Sequence, residues 1–163
     1  MVTGGSPHVA DTWIQNFGTL AVEKGPSMAQ KRMFHACGKF QIKGKTILMV
    51  VGGRENFDPK IFLKTTEYIN LDEDATWKQG PELPMVTIFS TFVPSRNEQT
   101  VFLVGGKTRK TDADVPIEQI YQLVCDDTPD SCAWEETESK LKQPRFNGLV
   151  FPIPNSLVRK LCD

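Results

Sequence analysis

The chain lacks the features that mark two large functional classes. Of its 163 residues, 19 are Lys or Arg and 20 are Asp or Glu, so the net charge is -1 and the basic excess of a nucleic-acid-binding protein is absent. No apolar run approaches the roughly 18 residues that cross a bilayer. The residues Met1 to His8 have neither the basic region nor the apolar region of a secretory signal. The sequence therefore predicts no nucleic-acid partner and no membrane partner.

Catalytic and metal-binding patterns are also missing. There is no Cys-x2-Cys pair, and the only histidines are His8 and His35, so a zinc site is disfavoured. Asp72-Glu73-Asp74 has neither the glycine nor the distal glutamate of a calcium loop. His35 and Cys37 alternate onto one face of a strand, where packing is the simpler interpretation of the pair. We therefore predict no metal, no cofactor and no enzymatic activity.

What the chain does have is a repeated double glycine. Gly4-Gly5, Gly52-Gly53 and Gly105-Gly106 stand 48 and 53 residues apart, and the second and third pairs each close an apolar run. Glycine reaches backbone angles that let a chain turn sharply out of a sheet. A period of about fifty residues is typical of one blade in a β-propeller.

Aromatic residues recur in register with the glycines. Tyr68 follows Gly53 by 15 residues and Tyr121 follows Gly106 by the same 15, while Trp77 lies 9 residues after Tyr68. Trp134 lies 13 residues after Tyr121, across a short hairpin insertion. In the first repeat, Trp13 is predicted to hold the Tyr position and Val22 the Trp position. Such amphipathic rings suit packing between neighbouring sheets.

The pattern of double glycine, spaced Tyr and spaced Trp resembles the kelch repeat. The resemblance implies an all-β fold, a kelch-type β-propeller arc of about three four-stranded blades that forms an incomplete ring. We expect a partial blade at 1-32, a blade at 33-89, a blade at 90-145, an extra first strand at 146-153 and a tail at 154-163. The residues that carry the motif are Gly4, Gly5, Gly52, Gly53, Tyr68, Trp77, Gly105, Gly106, Tyr121 and Trp134.

Three blades are fewer than the four to eight that usually close a propeller. Val2-Thr3-Gly4-Gly5 matches the end of a second strand, so the repeat pattern begins within a blade. An open arc exposes strand edges and blade faces, which favours association. Either the remaining blades of a longer protein or a second copy of this chain is expected to complete the ring.

Kelch domains generally bind protein partners through the loops that follow the double glycines and the loops between blades. By this resemblance, five cations are candidates to hold an acidic peptide or protein partner, because Arg presents a rigid fork to carboxylates: Arg32, Arg54, Arg109, Lys110 and Arg145. The alternative interpretation is ordinary solvated loop charge. The implied function is a protein-protein interaction module, in many relatives the substrate-recognition part of a cullin-3 ubiquitin ligase adaptor.

Cysteine usage leaves the compartment open. Cys125 and Cys132 bracket a predicted hairpin at a separation that permits a disulfide. If they are bonded, the chain belongs to a secreted or extracellular kelch protein. If they are thiols, a cytoplasmic interaction domain is favoured. We expect a cytoplasmic domain, because residues Met1 to His8 do not have the pattern of a secretory signal. An enzyme on a propeller scaffold ranks last, since its site would have to come from blades outside this sequence.

Overall fold

The computed structural model describes residues 2-4, 9-111, 113-150 and 152-153 of the chain. The fold of these residues is all-β, with one short 3-10 turn at Pro129–Ser131. The strands are β1 (Val2–Thr3), β2 (Thr12–Gln15), β3 (Val22–Lys24), β4 (Ala36–Ile42), β5 (Lys45–Val51), β6 (Thr66–Asn70), β7 (Lys78–Gln79), β8 (Thr91–Pro94), β9 (Val101–Val104), β10 (Lys107–Lys110), β11 (Ala113–Pro116), β12 (Gln119–Val124) and β13 (Ala133–Lys140).

These strands form three antiparallel meanders and one hairpin. The first sheet has the order β1-β2-β3, the second β4-β5-β6-β7, and the third β8-β9-β12-β13. The hairpin β10-β11 lies in the loop between β9 and β12. In the described part of the chain, no helix is long and apolar enough to cross a membrane.

The second sheet is covered on both faces, which explains its continuous apolar strand. In β5, Ile47, Met49, Val50 and Val51 are all at most 1% exposed. A run of apolar residues without alternation is expected where both faces are buried. Val50 belongs to the core against the first sheet, and Met49 belongs to the core shared with the third sheet.

The double glycines make the same turn in each repeat. Gly4, Gly52 and Gly105 have φ values of 59°, 61° and 62°, a left-handed conformation that favours glycine. A Cβ at Gly52 would lie 2.6 Å from the carbonyl oxygen of Thr87, and one at Gly4 or Gly105 would collide with the carbonyl oxygen of Arg32 or Arg145. Arg32, Thr87 and Arg145 therefore occupy equivalent positions after the three sheets. Gly5 lies outside the described residues.

The backbone corrects the register predicted for the first repeat. Thr12 and Thr66 make the same contacts: their carbonyls accept from Gly25 and Gly80, and their hydroxyls donate to the carbonyls of Pro26 and Pro81. Two residues after these threonines come Ile14 and Tyr68. Ile14 therefore holds the Tyr68 position, and the prediction that Trp13 does so is wrong by one residue, because the segment from Thr12 to Gly25 is one residue shorter than the segment from Thr66 to Gly80.

Tyr121 is also offset by one residue from Tyr68. The amide of Leu63 donates to Gly53, ten residues back, whereas that of Ile117 donates to Gly106, eleven residues back. The extra residue places Tyr121 at the position of Glu67, so the two tyrosines point to opposite faces of their sheets. Each is 2% exposed, and both enter the core between the second and third sheets.

The segment predicted as an extra first strand forms no strand at its described residues, 146-150 and 152-153. The segment lies beside residues 89-91 and is joined to them by isolated hydrogen bonds. Asn147 N donates to Phe89 O at 3.2 Å, and Thr91 Oγ1 donates to Gly148 O at 2.7 Å. Leu149 is 83% exposed. A strand needs a ladder partner, and none of the described residues supplies one here. The predicted tail at 154-163 lies outside the described residues.

Candidate functional site

Arg32, predicted to hold an acidic partner, is not available to one. Its side chain is fully buried and its Nη2 lies 2.8 Å from Glu67 Oε1. Its Nη1 donates to the carbonyls of Gly52 at 2.8 Å and Thr65 at 3.1 Å. Burying a charge is costly unless it is paired and hydrogen-bonded, and these contacts satisfy that requirement. Arg32 therefore joins the loop after the first sheet to the second sheet.

Arg54 is also more buried than the sequence predicted. It is 8% exposed, and its guanidinium lies over two aromatic rings, 4.9 Å from the Phe34 centroid and 4.1 Å from the Phe57 centroid. Its backbone pairs with Met33 through bonds of 2.9 Å in both directions. The side chain supports a cation-π stack, and only its edge reaches the surface.

The remaining predicted cations lie in the β10-β11 hairpin and after β13. Arg109 Nη1 donates to Asp114 Oδ1 at 2.9 Å, and both side chains are about a quarter exposed. Lys110, next along the hairpin, is exposed. Arg145 is exposed and donates to Gln143 at 3.4 Å. Lys60 Nζ lies 3.7 Å from Asp114, so the loops that follow the second and third double glycines meet.

An aromatic row that the sequence analysis missed occupies the same end of the sheets. Ring centroids are separated by 6.1 Å between Phe57 and Phe34, by 4.5 Å between Phe34 and Phe89, and by 6.5 Å between Phe89 and Phe146. Phe34, Phe57 and Phe146 are 36%, 46% and 42% exposed. The Lys107 ammonium lies 3.7 Å from the Phe146 centroid. Contiguous exposed aromatic surface of this kind marks interaction sites.

Two phenylalanines at the centre of this row have strained backbone conformations. Phe34 and Phe89 have φ values of 56° and 59°, a conformation that is an outlier for a bulky residue. Asn147, at the equivalent position after the third sheet, has a φ of 54°, which Asn adopts more readily. Phe89 N donates to Phe34 O at 2.9 Å, and Asn147 N donates in turn to Phe89 O. Such strain costs about 1–3 kcal/mol per residue and clusters at functional sites. Aligning the loops between the sheets, rather than the strands, would have exposed the recurrence of Phe34 and Phe89.

A cleft of about 460 Å³ opens beside the aromatic row. His35, in its wall, is half-buried, and burial together with the nearby Arg32 charge lowers the pKa of His35 to about 4. His35 is therefore neutral at physiological pH. The cleft is lined by Phe34, His35, Ala36, Cys37, Phe89, Ser90, Thr91, Phe92, Asn147, Gly148 and Leu149.

The opposite end of the sheets carries the acidic turns, and lysines neutralise much of their charge. Lys43, Lys45 and Lys78 lie 2.5, 2.7 and 2.7 Å from Asp127, Glu73 and Asp74 respectively. Acidic clusters that are already paired in this way have little charge left for a cationic ligand. No group of three or more metal-ligating side chains occurs among the residues that the structure describes.

The hairpin insertion at this end contacts the second sheet. Cys125 and Cys132 form a disulfide with a Cα–Cα distance of 4.0 Å. Between them, Asp130 accepts a hydrogen bond of 2.5 Å from the Tyr68 hydroxyl. Burial, together with this bond to a carboxylate, raises the pKa of Tyr68. The insertion therefore serves as a contact between sheets.

Comparison with known proteins gives the fold and nothing finer. No family model matches the chain, and no curated protein matches it. One solved structure that does match is described as the structure of YjhT, with a TM-score of 0.69 and 12% sequence identity over 90% of this chain. This chain spans 43% of the YjhT chain. Together with the antiparallel sheets, the likeness establishes an all-β fold.

Proposed function

We propose that the chain is a protein-binding module built as a kelch-type propeller arc, and that its aromatic row is the partner-binding surface. The arc is supported by three successive meanders with equivalent glycine turns at Gly4, Gly52 and Gly105. The single observation that carries the binding proposal is the row of Phe34, Phe57, Phe89 and Phe146 with cations stacked on it.

The chemistry of the row defines the partner. Exposed rings bury apolar or aromatic side chains, and aromatic residues dominate binding energy at interfaces. Arg54 and Lys107 lie over rings of the row, and cations beside the rings favour carboxylates nearby. Arg109 and Lys110 follow Lys107 in the same strand, β10. The partner is therefore a protein segment that carries an apolar or aromatic anchor next to Asp or Glu. Recruitment of such a partner to a ubiquitin ligase is an implication of the kelch resemblance alone.

Selection from a random peptide library displayed on phage tests the proposal. We expect peptides selected on the wild-type chain to be enriched in aromatic or aliphatic residues flanked by Asp or Glu. Replacing Phe89 by Ser removes a central ring, so affinity should fall by about 30-fold, the effect of losing one interface hot spot of about 2 kcal/mol. Fluorescence anisotropy with a labelled selected peptide measures this change.

Two charge-reversal variants distinguish peptide binding at this surface from nonspecific electrostatic attraction to the chain. Lys107→Glu, beside the Phe146 ring, should weaken the peptide about tenfold, whereas Lys45→Glu at the opposite end should leave its affinity unchanged. Thermal unfolding of each variant verifies that it is folded. Equal losses for the two variants, or selected peptides without an acidic and apolar pattern, would contradict the proposed surface.

The disulfide supports a second candidate, a secreted or extracellular module with the same binding surface. Cys125 and Cys132 are bonded in the structure, and such bonds persist in oxidising compartments. Intact mass after alkylation, with and without prior reduction, decides between the candidates in protein from its native source. This candidate predicts that the pair is alkylated only after reduction. Alkylation without reduction would favour the cytoplasm.

A further inference from the structure

One face of the first sheet matches an interface that the other two sheets bury. Trp13, Gln15, Val22 and Lys24 share this face, because Trp13 pairs with Lys24, Gln15 pairs with Val22, and Gln15 lies two residues from Trp13. We call it the leading face. The repeat register places Trp13 at the position of Glu67 and Tyr121. Those two side chains are turned toward the preceding sheet and are 4% and 2% exposed.

The positions of the tryptophans in the second and third sheets lead to the same correspondence with the first sheet. Trp134 lies opposite Leu123 in the third sheet as Val22 lies opposite Gln15 in the first. Trp134 and Trp77 are 6% and 7% exposed, because each packs against the sheet before it. Val22 is 57% exposed and Trp13 is 44% exposed. The leading face therefore carries an aromatic and an aliphatic side chain, Trp13 and Val22, at positions that the other two sheets bury, and keeps both accessible.

The loop after the third sheet offers the complementary half of that contact. Arg145 occupies the position of Arg32, as their equivalent approaches to Gly105 and Gly4 show. Arg32 reaches the following sheet at Gly52, Thr65 and Glu67. Arg145 has the same placement after the third sheet, but its side chain is exposed.

The first sheet supplies groups that Arg145 would meet in this arrangement. The positions equivalent to Gly52, Thr65 and Glu67 are Gly4, Asp11 and Trp13, by the matching hydrogen bonds of Gly4 to Asp11 O and Gly52 to Thr65 O. A carbonyl, a carboxylate and an indole ring are all favourable partners for a guanidinium. Lys24 at 3.0 Å and Ser27 at 3.1 Å already bind the Asp11 carboxylate through exposed side chains, so Arg145 would share this carboxylate with Lys24.

We propose that a second copy of this chain docks head to tail, with its third sheet on the leading face and its Arg145 between Asp11 and Trp13. The other surface of this contact, the trailing face, consists of the half-buried Phe102, Val104, Ile120 and Gln122 on β9 and β12. A contact between two unlike surfaces of the same chain closes into a ring when the rotation that relates neighbouring copies permits it. Since this chain spans 43% of the YjhT chain, two copies together account for most of a chain of that length.

Sedimentation velocity of the full chain, with charge exchange at the predicted pair, tests the proposal. The wild type, of 18.3 kDa, should sediment as a dimer. Arg145→Asp and Asp11→Arg should each weaken dimerisation by about tenfold or more, because each substitution places like charges at both contacts of the ring. An equimolar mixture of the two variants should regain the association. In the mixed dimer, each of the two contacts again joins one carboxylate to one guanidinium.

Leu71→Glu serves as the control variant, and circular dichroism is the second measurement. Leu71 is 50% exposed in the turn after β6, away from both faces, so Leu71→Glu should sediment as the wild type does. Circular dichroism verifies that each variant is folded. A wild-type chain that stays monomeric at every concentration overturns the proposal, and so does a mixture of the two charge variants that fails to regain the dimer. Peptide binding at the aromatic row does not enter this measurement, so failure of one proposal is distinguishable from failure of the other.

Discussion

Replacing Glu67 by Ala is expected to lower the free energy of unfolding by about 3–5 kcal/mol, the usual effect of removing one partner of a buried ion pair. Arg32 would keep its charge in a fully buried position without its carboxylate. The amides of Ala29 and Gln30, which donate to the Glu67 carboxylate at 2.6 and 3.1 Å, would also lose their acceptor. Urea unfolding followed by circular dichroism measures the change.

An exposed ion pair provides the control for this expectation. Lys45 and Glu73 lie 2.7 Å apart with half of each side chain exposed, and exposed pairs contribute about 0–1 kcal/mol. Lys45→Ala should therefore leave the free energy of unfolding nearly unchanged. The double variant Arg32→Met with Glu67→Leu should lose less than Glu67→Ala, because it leaves no unpaired charge. A loss below about 1 kcal/mol for Glu67→Ala would show that the pair does not join the first sheet to the second.

Replacing Trp77 by Ala should destabilise the chain by about 3–5 kcal/mol, the range for truncating a large buried ring. Trp77 is 7% exposed and packs with Met28, Val50 and Ile69 between the first and second sheets. Its Nε1 donates to Pro26 O at 2.9 Å, so truncation also removes a hydrogen bond between sheets.

The matched measurement for Trp77 uses an apolar side chain at the surface. Leu71→Ala, at a position that is 50% exposed, should change the free energy of unfolding by at most about 0.5 kcal/mol. Similar small effects for both variants would mean that Trp77 does not pack between the sheets. Chemical denaturation of the two variants in parallel gives the comparison.

The double glycines were predictable because their constraint is local. A turn with φ near 60° against a passing carbonyl leaves little room for any residue except glycine, so Gly52 and Gly105 stand out in the sequence. The spacing of the tyrosines was misleading for a related reason. A loop that is one residue longer moves every later side chain to the other face of its strand, and Tyr121 consequently lies at the position of Glu67.

The candidate site was harder to predict because it depends on contacts between distant residues. Arg32 resembles a surface cation until Glu67, 35 residues later, is brought against it. The aromatic row assembles from three separate loops and one terminal segment, so no single stretch of sequence contains it. The strand expected at 146-153 needed a neighbouring sheet, which strand propensity alone does not supply.

Hydrogen-deuterium exchange with a selected peptide bound is the most direct test of the central claim, that the aromatic row is the partner-binding surface. We expect protection from exchange in the loops that carry Phe34, Phe57, Phe89 and Phe146, with no change in the turns at 43-44, 71-77 and 125-132. Protection confined to those turns, at the end where the acidic residues lie, would contradict it.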